Sequence, residues 1–186
     1  KATALWRFVT GLSSVMAQAS SEGSRYVEMS QDKAKRDVPL VVHVFPTFAV
    51  GGAQVWFAAI ANHVGRLFRH IVVSLDGNLA CRECLNSELD VDFPTVDAPK
   101  GSMFANALRF RRLLKQWRPD VLVTGNWGAI EFAMANIPAV TRHIHVVDGF
   151  GPEERSGQIA RRIWTRRLVL SRSLVVLPSR NLVRIA

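Results

Sequence analysis

The sequence predicts an α/β domain built on a doubly wound, mostly parallel sheet. Short apolar runs rich in β-branched residues alternate along the chain with segments of helical periodicity, and that alternation is typical of βαβ units. Glycine and polar residues cluster directly after several of these runs, and the carboxyl ends of parallel strands are where ligands bind. With 186 residues, of which 48% are hydrophobic and 21% charged, the chain has the size and composition of one globular domain.

The N-terminal residues, 1–37, are predicted to be a poorly ordered extension or linker. Residues 20–37 are polar and charged and show no periodicity. Ala17-Gln18-Ala19 is similar to the cleavage site of a signal peptide, but Arg7 and Gly11 interrupt the apolar core that such a peptide needs. The domain is therefore predicted to cover residues 38–186 and to begin near Val38.

The stretch around which the domain is organised is a strand, a glycine pair and a helix. Leu40–Phe45 is almost continuously apolar, as is typical of a central strand covered on both faces. Gly51-Gly52 provides backbone freedom for a tight turn and for close approach of a ligand. Residues 53–68 then form a helix whose positive N-terminal end favours phosphate. The alternative is a plain strand-to-helix turn without a ligand.

The remaining elements follow in alternation. That first helix places Trp56, Ile60, Val64 and Leu67 at helical spacing on one face. Pro94 lowers the strand propensity of the segment 91–96. Ser102 begins the helix at 102–118, and Pro119 ends it. The further strands are predicted at residues 71–75, 91–96, 120–124, 139–147 and 174–177, and the further helices at 79–90, 102–118, 129–135 and 159–171.

Cysteines and histidines are the candidate reactive groups. Cys81 and Cys84 form a CxxC pair, but no second pair or closely spaced histidines complete a zinc site, so no metal is predicted. His143 and His145 alternate along one strand and therefore share a face. His145 precedes the loop that contains Asp148, so it is either a ligand to a sugar or phosphate or an ordinary core histidine.

The chain is strongly basic, with 24 Lys and Arg against 15 Asp and Glu. Such an excess favours an anionic partner: a phosphorylated ligand, an anionic membrane or a nucleic acid. Arg161, Arg162 and Arg166 share one side of a helix opposite Ile163, Trp164, Leu168 and Leu170, which is a membrane-binding pattern or a core-facing helix with a basic exterior. Nucleic acid is disfavoured because the basic helices need their aromatic side for the core.

Several stretches, taken in order, resemble the N-terminal domain of glycosyltransferase family 4. They cover roughly residues 38–186 and comprise HVFP at 43–46, GGAQ at 51–54, RPDVLV at 118–123, HIHVVDGFGPEE at 143–154 and VVLPS at 175–179. The resemblance implies the Rossmann-like N-terminal half of a GT-B enzyme. It further implies retaining transfer from a nucleotide-sugar in polysaccharide or glycolipid synthesis, without a metal or other cofactor. The presence of only two cysteines fits a reducing compartment, and the basic helix favours an anionic surface. We therefore expect a cytoplasmic protein that sits peripherally on the inner face of the membrane.

The resemblance also implies roles for individual residues. Gly51, Gly52 and Gln54 are expected at the donor phosphates, and His145 and Asp148 at the reacting sugar. The acceptor, a carbohydrate or a lipid-linked sugar, is assigned to the strand-end residues Asn126, Trp127, Glu131, Gly149, Phe150 and Glu153. The basic pattern of their helix, independently of the resemblance, makes Arg161, Arg162 and Arg166 the expected membrane-facing residues.

Family members carry most of the nucleotide site, with a pair of glutamates, in a C-terminal domain. The chain stops at Ala186, about where the crossover to that domain is expected, so this piece alone is predicted to be inactive. The alternative function is a non-catalytic Rossmann-like module that binds an anionic partner.

Overall fold

A computed structural model of the protein describes residues 38–99, 101–149 and 160–179. The chain divides into two units, Lys1–Val38 and Pro39–Ala186, and every element below belongs to the second. The predicted extension at residues 1–37 lies outside the described residues and stays a prediction.

In the part of the chain that the structure describes, six parallel strands form one sheet. Their order is β3-β2-β1-β4-β5-β6, so β1 lies inside the sheet between β2 and β4, as predicted. The strands are β1 Leu40–Phe45, β2 Arg69–Ser74, β3 Val91–Asp92, β4 Val121–Gly125, β5 Arg142–Val146 and β6 Leu174–Val176.

Among the described residues, four α-helices connect the strands: α1 Gly52–Val64, α2 Met103–Trp117, α3 Ile130–Ala135 and α4 Ala160–Val169. Short 3₁₀ helices add Gly65–Leu67, Ala80–Cys84 and Trp127–Ala129. None of the described helices is long and apolar enough to cross a bilayer.

The helices cover both faces of the sheet, which confirms the doubly wound α/β class. Phe110 and Leu114 of α2 are fully buried in one core with Val44 and Leu122, and Phe110 stacks on Phe132 of α3 with ring centroids 4.0 Å apart. Burial of each such side chain contributes about 1.5–3 kcal/mol. We call this the α2–α4 face, because α4 joins α3 in a neighbouring cluster.

The opposite face, which we call the α1 face, holds a second core. Phe57 and Ala61 of α1 pack with Phe48, Val72 and Cys81. The helical face that carries Trp56, Ile60, Val64 and Leu67 is not the face that meets this core, and Trp56, Ile60 and Leu67 are exposed. The buried residues are one position away, because Phe57 fills the aromatic cluster around His43, 4.4 Å from that ring.

Further predicted elements are shorter than expected. The helix predicted at 79–90 is reduced to the 3₁₀ helix Ala80–Cys84. The strand predicted at 91–96 ends at Asp92, because Phe93 turns toward Phe48 and Pro94 has no N–H to donate to a neighbouring strand. The strand predicted at 139–147 begins only at Arg142. The side-chain oxygen of Asn136 accepts the amides of Val140 and Thr141 at 2.8 and 3.0 Å and holds the preceding residues in a loop.

Candidate functional site

A pocket of about 340 Å³ lies on the α1 face and opens at the carboxyl ends of β1, β4 and β5. Its floor is the sheet and its side wall is α1, which contributes the half-exposed Trp56 and Ile60. Almost all of the lining is apolar. Polar side chains lie mainly where the strands end: Gln54, Asn126 and Asp148.

The glycine pair after β1 differs from the prediction in its backbone. Gly51 has φ −162° and ψ 173°, which is extended backbone that any residue adopts, and Gly52 is the first residue of α1. The expectation that this turn needs glycine's special backbone angles is therefore wrong. Glycine also leaves room for a ligand to approach the backbone. The space beside Gly52 is open, because no atom lies within 4 Å of where a Cβ on this residue would stand.

Gln54 fixes this turn. Its amide nitrogen donates to the carbonyl of Thr47 at 2.9 Å, and its carbonyl oxygen would lie 2.8 Å from a Cβ on Gly51. The first N–H groups of a helix have no partners within it. The start of α1 therefore offers donors beside an open surface at the carboxyl edge of the sheet.

Asn126 and Asp148 join the ends of β4 and β5. The Asn126 amide donates to the Asp148 carboxylate, while the Asp148 backbone N–H donates to the side-chain oxygen of Asn126 at 3.2 Å. Asn126 has φ 54°, a left-handed conformation that costs free energy and that clusters at functional sites. This reciprocal pair holds an exposed carboxylate at the pocket mouth.

His145 lies elsewhere, on the α2–α4 face and away from the pocket. Its Nδ1 is 2.7 Å from the Thr124 hydroxyl, and the same hydroxyl is 2.9 Å from Nε2 of His143. His143 Nδ1 in turn lies 2.7 Å from the hydroxyl of Ser173. His145 is 1% exposed, and its buried Nε2 has no hydrogen-bond partner among the described residues.

Burial keeps these histidines neutral. It lowers the pKa of His143 to about 4. Burial, with smaller repulsion from His143 and Arg166, lowers the pKa of His145 to about 4 as well. The two rings share a face, as predicted, but His145 does not lie beside Asp148 at the pocket mouth. Its expected catalytic role stays a prediction that this geometry does not favour.

Trp127 and Glu131 also face away from the pocket. The guanidinium groups of Arg162 and Arg166 lie over the Trp127 ring, 5.0 and 5.4 Å from its centroid. Glu131 accepts a 2.9 Å hydrogen bond from Asn106 of α2. These two predicted acceptor residues are engaged within the helix layer, and Arg162 and Arg166 turn inward to Trp127 instead of outward.

The remaining predicted residues divide between described and undescribed parts. Gly149 follows Asp148 and has open space where a Cβ would stand. Phe150 and Glu153 lie outside the described residues, so their expected acceptor contacts stay predictions. Of the three predicted membrane-facing arginines, Arg161 lies exposed on α4.

Sequence reasoning did not find the apolar wall of the pocket or the histidine at its floor. Burial, reinforced by His70, lowers the pKa of His43 to about 3, and its Nε2 is 3.2 Å from Nδ1 of His70. The sequence signal that could have indicated the apolar wall is the pattern of apolar residues in α1. Trp56 and Ile60 form one apolar stripe and Phe57 and Ala61 a second, and a helix with two apolar stripes contacts two different surfaces.

Neither a metal centre nor a disulfide is formed by the described residues. No group of three or more His, Cys, Asp or Glu in that part of the chain could hold a metal ion. Cys81 is buried and Cys84 exposed, and both thiols are free.

Comparison with known proteins identifies relatives of this fold. A family model described as Glycosyltransferase Family 4 matches residues 50–186. A search of curated protein sequences finds no significant match. Among solved structures, a UDP co-structure of S. aureus MnaA matches 77% of this chain and 38% of that chain, with a TM-score of 0.52 and 14% identity.

Two more solved structures match at similar levels. A glycosyltransferase from Rickettsia africae ESF-5 has a TM-score of 0.54 and 15% identity over 78% of this chain and 38% of that chain. A UDP-N-acetylglucosamine 2-epimerase has a TM-score of 0.53 and 14% identity over 79% of this chain and 44% of that chain. At these identities the likeness shows the fold. The chain spans less than half the length of each of these structures.

Proposed function

Since this chain belongs to glycosyltransferase family 4, we propose that it forms the acceptor-side domain of a retaining glycosyltransferase. The reaction moves a sugar from a nucleotide-sugar to a carbohydrate or lipid-linked acceptor in polysaccharide or glycolipid synthesis. The donor is a substrate, and neither a metal nor another cofactor is required. Free thiols at Cys81 and Cys84 fit a cytoplasmic protein.

The observation that carries this proposal is the carboxyl edge of the sheet. The first turn of α1 and the ends of β4 and β5 bring Gln54, Asn126 and Asp148 around one pocket mouth, and that edge is where α/β sheets bind ligands. The open start of α1 at Gly51 and Gly52 suits the donor phosphates, since helix N-termini favour anions. UDP bound to MnaA, which shares the fold, supports a nucleotide as the donor group.

Asp148 is the side chain that we assign to the reacting sugars. It is exposed at the pocket mouth, and Asn126 holds its orientation. A carboxylate held in place hydrogen-bonds sugar hydroxyls, and such a bond accelerates transfer to the extent that it strengthens in the transition state. His145 does not line the pocket and serves as a positioning residue, because its bond to Thr124 fixes β5 against β4 just before Asp148.

The test is a transfer assay with the full-length protein and a panel of nucleotide-sugars, with the present 186 residues assayed beside it. The full-length protein should transfer one donor's sugar with retention, whereas the 186-residue chain should show no turnover. Asp148→Ala should lower kcat about 100-fold, as loss of one well-aimed hydrogen bond does. Asp92→Ala, at the far edge strand, is the matched control and should keep normal turnover.

His145→Asn separates a positioning role from a direct contact. A positioning residue should change KM and the melting temperature together, and a direct contact should lower kcat at an unchanged melting temperature. Equal turnover of the Asp148→Ala and Asp92→Ala proteins would remove Asp148 from the site.

Epimerisation is the second candidate, because a UDP-N-acetylglucosamine 2-epimerase shares the fold. The same reactions should therefore be followed for an epimerised nucleotide-sugar as well as for a transferred sugar. An epimerised product without transfer would replace the proposed activity. Binding of a nucleotide-sugar without any turnover by the full-length protein would indicate the non-catalytic binding module.

A further inference from the structure

The positive charge of the protein is concentrated near its C-terminal end. Residues 155–186 contain eight arginines and neither Asp nor Glu. Subtracting these eight from the 24 basic residues leaves 16 against 15 acidic residues, so the first 154 residues carry a net charge of only +1. The arginines are Arg155, Arg161, Arg162, Arg166, Arg167, Arg172, Arg180 and Arg184.

The exposed side of α4 combines this charge with large apolar side chains. Trp164 is 69% and Leu168 76% exposed, and the spacing of Arg161, Trp164 and Leu168 forms one stripe along the helix. Arg161 therefore lies beside these two side chains, whereas the sequence pattern predicted it opposite them. Arg167 lies over the Trp164 ring at 5.7 Å. Of the two alternatives for this helix, a membrane-binding pattern or a core-facing helix with a basic exterior, the core-facing one does not hold for Trp164 and Leu168, because Val169 fills that position.

Helix α2 repeats the pattern. Phe104 is 78% and Leu108 64% exposed, and Arg112 and Lys115 continue the same stripe and are also exposed. α2 and α4 lie on one face of the sheet, on either side of α3. Both helices follow a parallel strand, so their first turns, with Phe104 and Trp164, lie toward the carboxyl edge of the sheet.

Helix α1, on the opposite face, does not combine exposed apolar side chains with cations. Val55, Trp56 and Ile60 of α1 are exposed, but the helix contains neither Lys nor Arg, and Trp56 and Ile60 line the pocket already described. Exposed apolar side chains therefore stand beside cations along α2 and α4 but not along α1.

We propose that the α2–α4 face docks on an anionic lipid bilayer. Tryptophan, phenylalanine and leucine side chains enter the boundary between headgroups and acyl chains, while flanking arginine and lysine pair with lipid phosphates. A second copy of this chain does not suit the surface, because it would set arginines against arginines. The proposal does not depend on the activity proposed above.

The test measures binding of the 186-residue chain to vesicles of phosphatidylcholine alone and to vesicles that contain about one third phosphatidylglycerol. We expect strong binding only to the anionic vesicles and weaker binding as salt shortens the screening length. Reversing two cations, either Arg161→Glu with Arg167→Glu or Arg112→Glu with Lys115→Glu, should lower the partition coefficient at least 30-fold. That ratio corresponds to about 1 kcal/mol for each cation.

The matched control reverses the same amount of charge elsewhere. Arg66 and Arg82 are exposed on other elements, so Arg66→Glu with Arg82→Glu changes net charge equally and should have a much smaller effect. Leu168→Ser and Leu108→Ser should each weaken binding, whereas Leu67→Ser, at an exposed leucine away from this face, should not. Circular dichroism confirms that each variant is folded.

Three results would overturn the proposal. One is equal binding to neutral and anionic vesicles. Another is an equal loss of binding in the control pair, which would mean that net charge alone acts. The third is tighter binding to an RNA or DNA duplex that displaces the vesicles, which would assign the surface to nucleic acid.

Discussion

Acidification from pH 7 to pH 5 should destabilise this domain steeply, because the sheet buries neutral histidines. Burial is the largest cause of a lowered pKa at His43, His70, His143 and His145. The pKa falls to about 3 at His43 and to about 4 at His143 and His145, from an ordinary 6.5. Below pH 6.5 the unfolded chain therefore binds protons that the folded chain excludes.

The sign and size follow from proton linkage. The unfolded state binds more protons between pH 6.5 and pH 4, so the free energy of unfolding rises with pH in that window and falls on acidification. For a histidine whose pKa falls from 6.5 to about 4, the loss between pH 7 and pH 5 is about 2 kcal/mol. His43, His143 and His145 together lose about 5–6 kcal/mol, which is comparable to the whole stability of a typical domain, about 5–15 kcal/mol.

The assay is equilibrium urea unfolding at pH 7, 6 and 5 at constant ionic strength, followed by circular dichroism. His145→Asn should reduce the pH-dependent loss by about 2 kcal/mol, since one titrating group is removed. His63→Asn, at an exposed histidine of α1, is the control and should leave the loss unchanged. A free energy of unfolding that stays constant between pH 7 and pH 5 would refute the reasoning.

Two other predictions concern packing and thiol access. Gly128→Ala should destabilise the domain by about 1–3 kcal/mol, because its Cβ would stand 2.6 Å from the ring of Pro46; chemical denaturation should show no such loss for Gly149→Ala, where the space is open. In the native protein a thiol reagent should label the exposed Cys84 rapidly and the buried Cys81 only after unfolding, since burial and the neighbouring Cys84 raise the pKa of Cys81 to about 11. Equal labelling rates in the native state would contradict that assignment.

The sequence was sufficient for the sheet because strand and helix signals reinforce one another. Leu40–Phe45 is apolar enough that a position inside a parallel sheet is its natural environment, and the structure has it there. Helix α1 shows the limit. Trp56 and Phe57 are adjacent and both apolar, so periodicity alone does not decide which of them meets the core. The aromatic cluster around His43 decides it, and that cluster exists only after β1 and α1 have packed.

The candidate site shows the same division. The meeting of Asn126 and Asp148 could be predicted, because both follow parallel strands that end at one edge. That His143 and His145 share a face could also be predicted from the alternation of side chains. The packing of β5 against β4 and α4 decides which face of the sheet the two histidines share. The residues next to His145 in the sequence do not indicate that packing.

The hydrogen bonds around Thr124 also constrain where protons sit on the two rings. One hydroxyl donates only once, so Thr124 cannot supply a hydrogen to both His143 and His145. If Nδ1 of His145 carries the proton and donates to Thr124, then Thr124 donates to His143 Nε2 and His143 Nδ1 donates to Ser173. This arrangement leaves only a lone pair, on Nε2 of His145, without a partner among the described residues, and a bare acceptor is tolerated more often than a buried N–H.

This single direction of donation links the tautomers of two histidines on β5 through one residue of β4. Both nitrogens of His143 are engaged, so adding a proton to that ring forces Thr124 to give up its donation. His145 accepts a proton on Nε2 without disturbing any of these bonds. Acid should therefore enter the pair in a fixed order, at His145 first, and the second proton is the one that reverses the donation between Thr124 and His143.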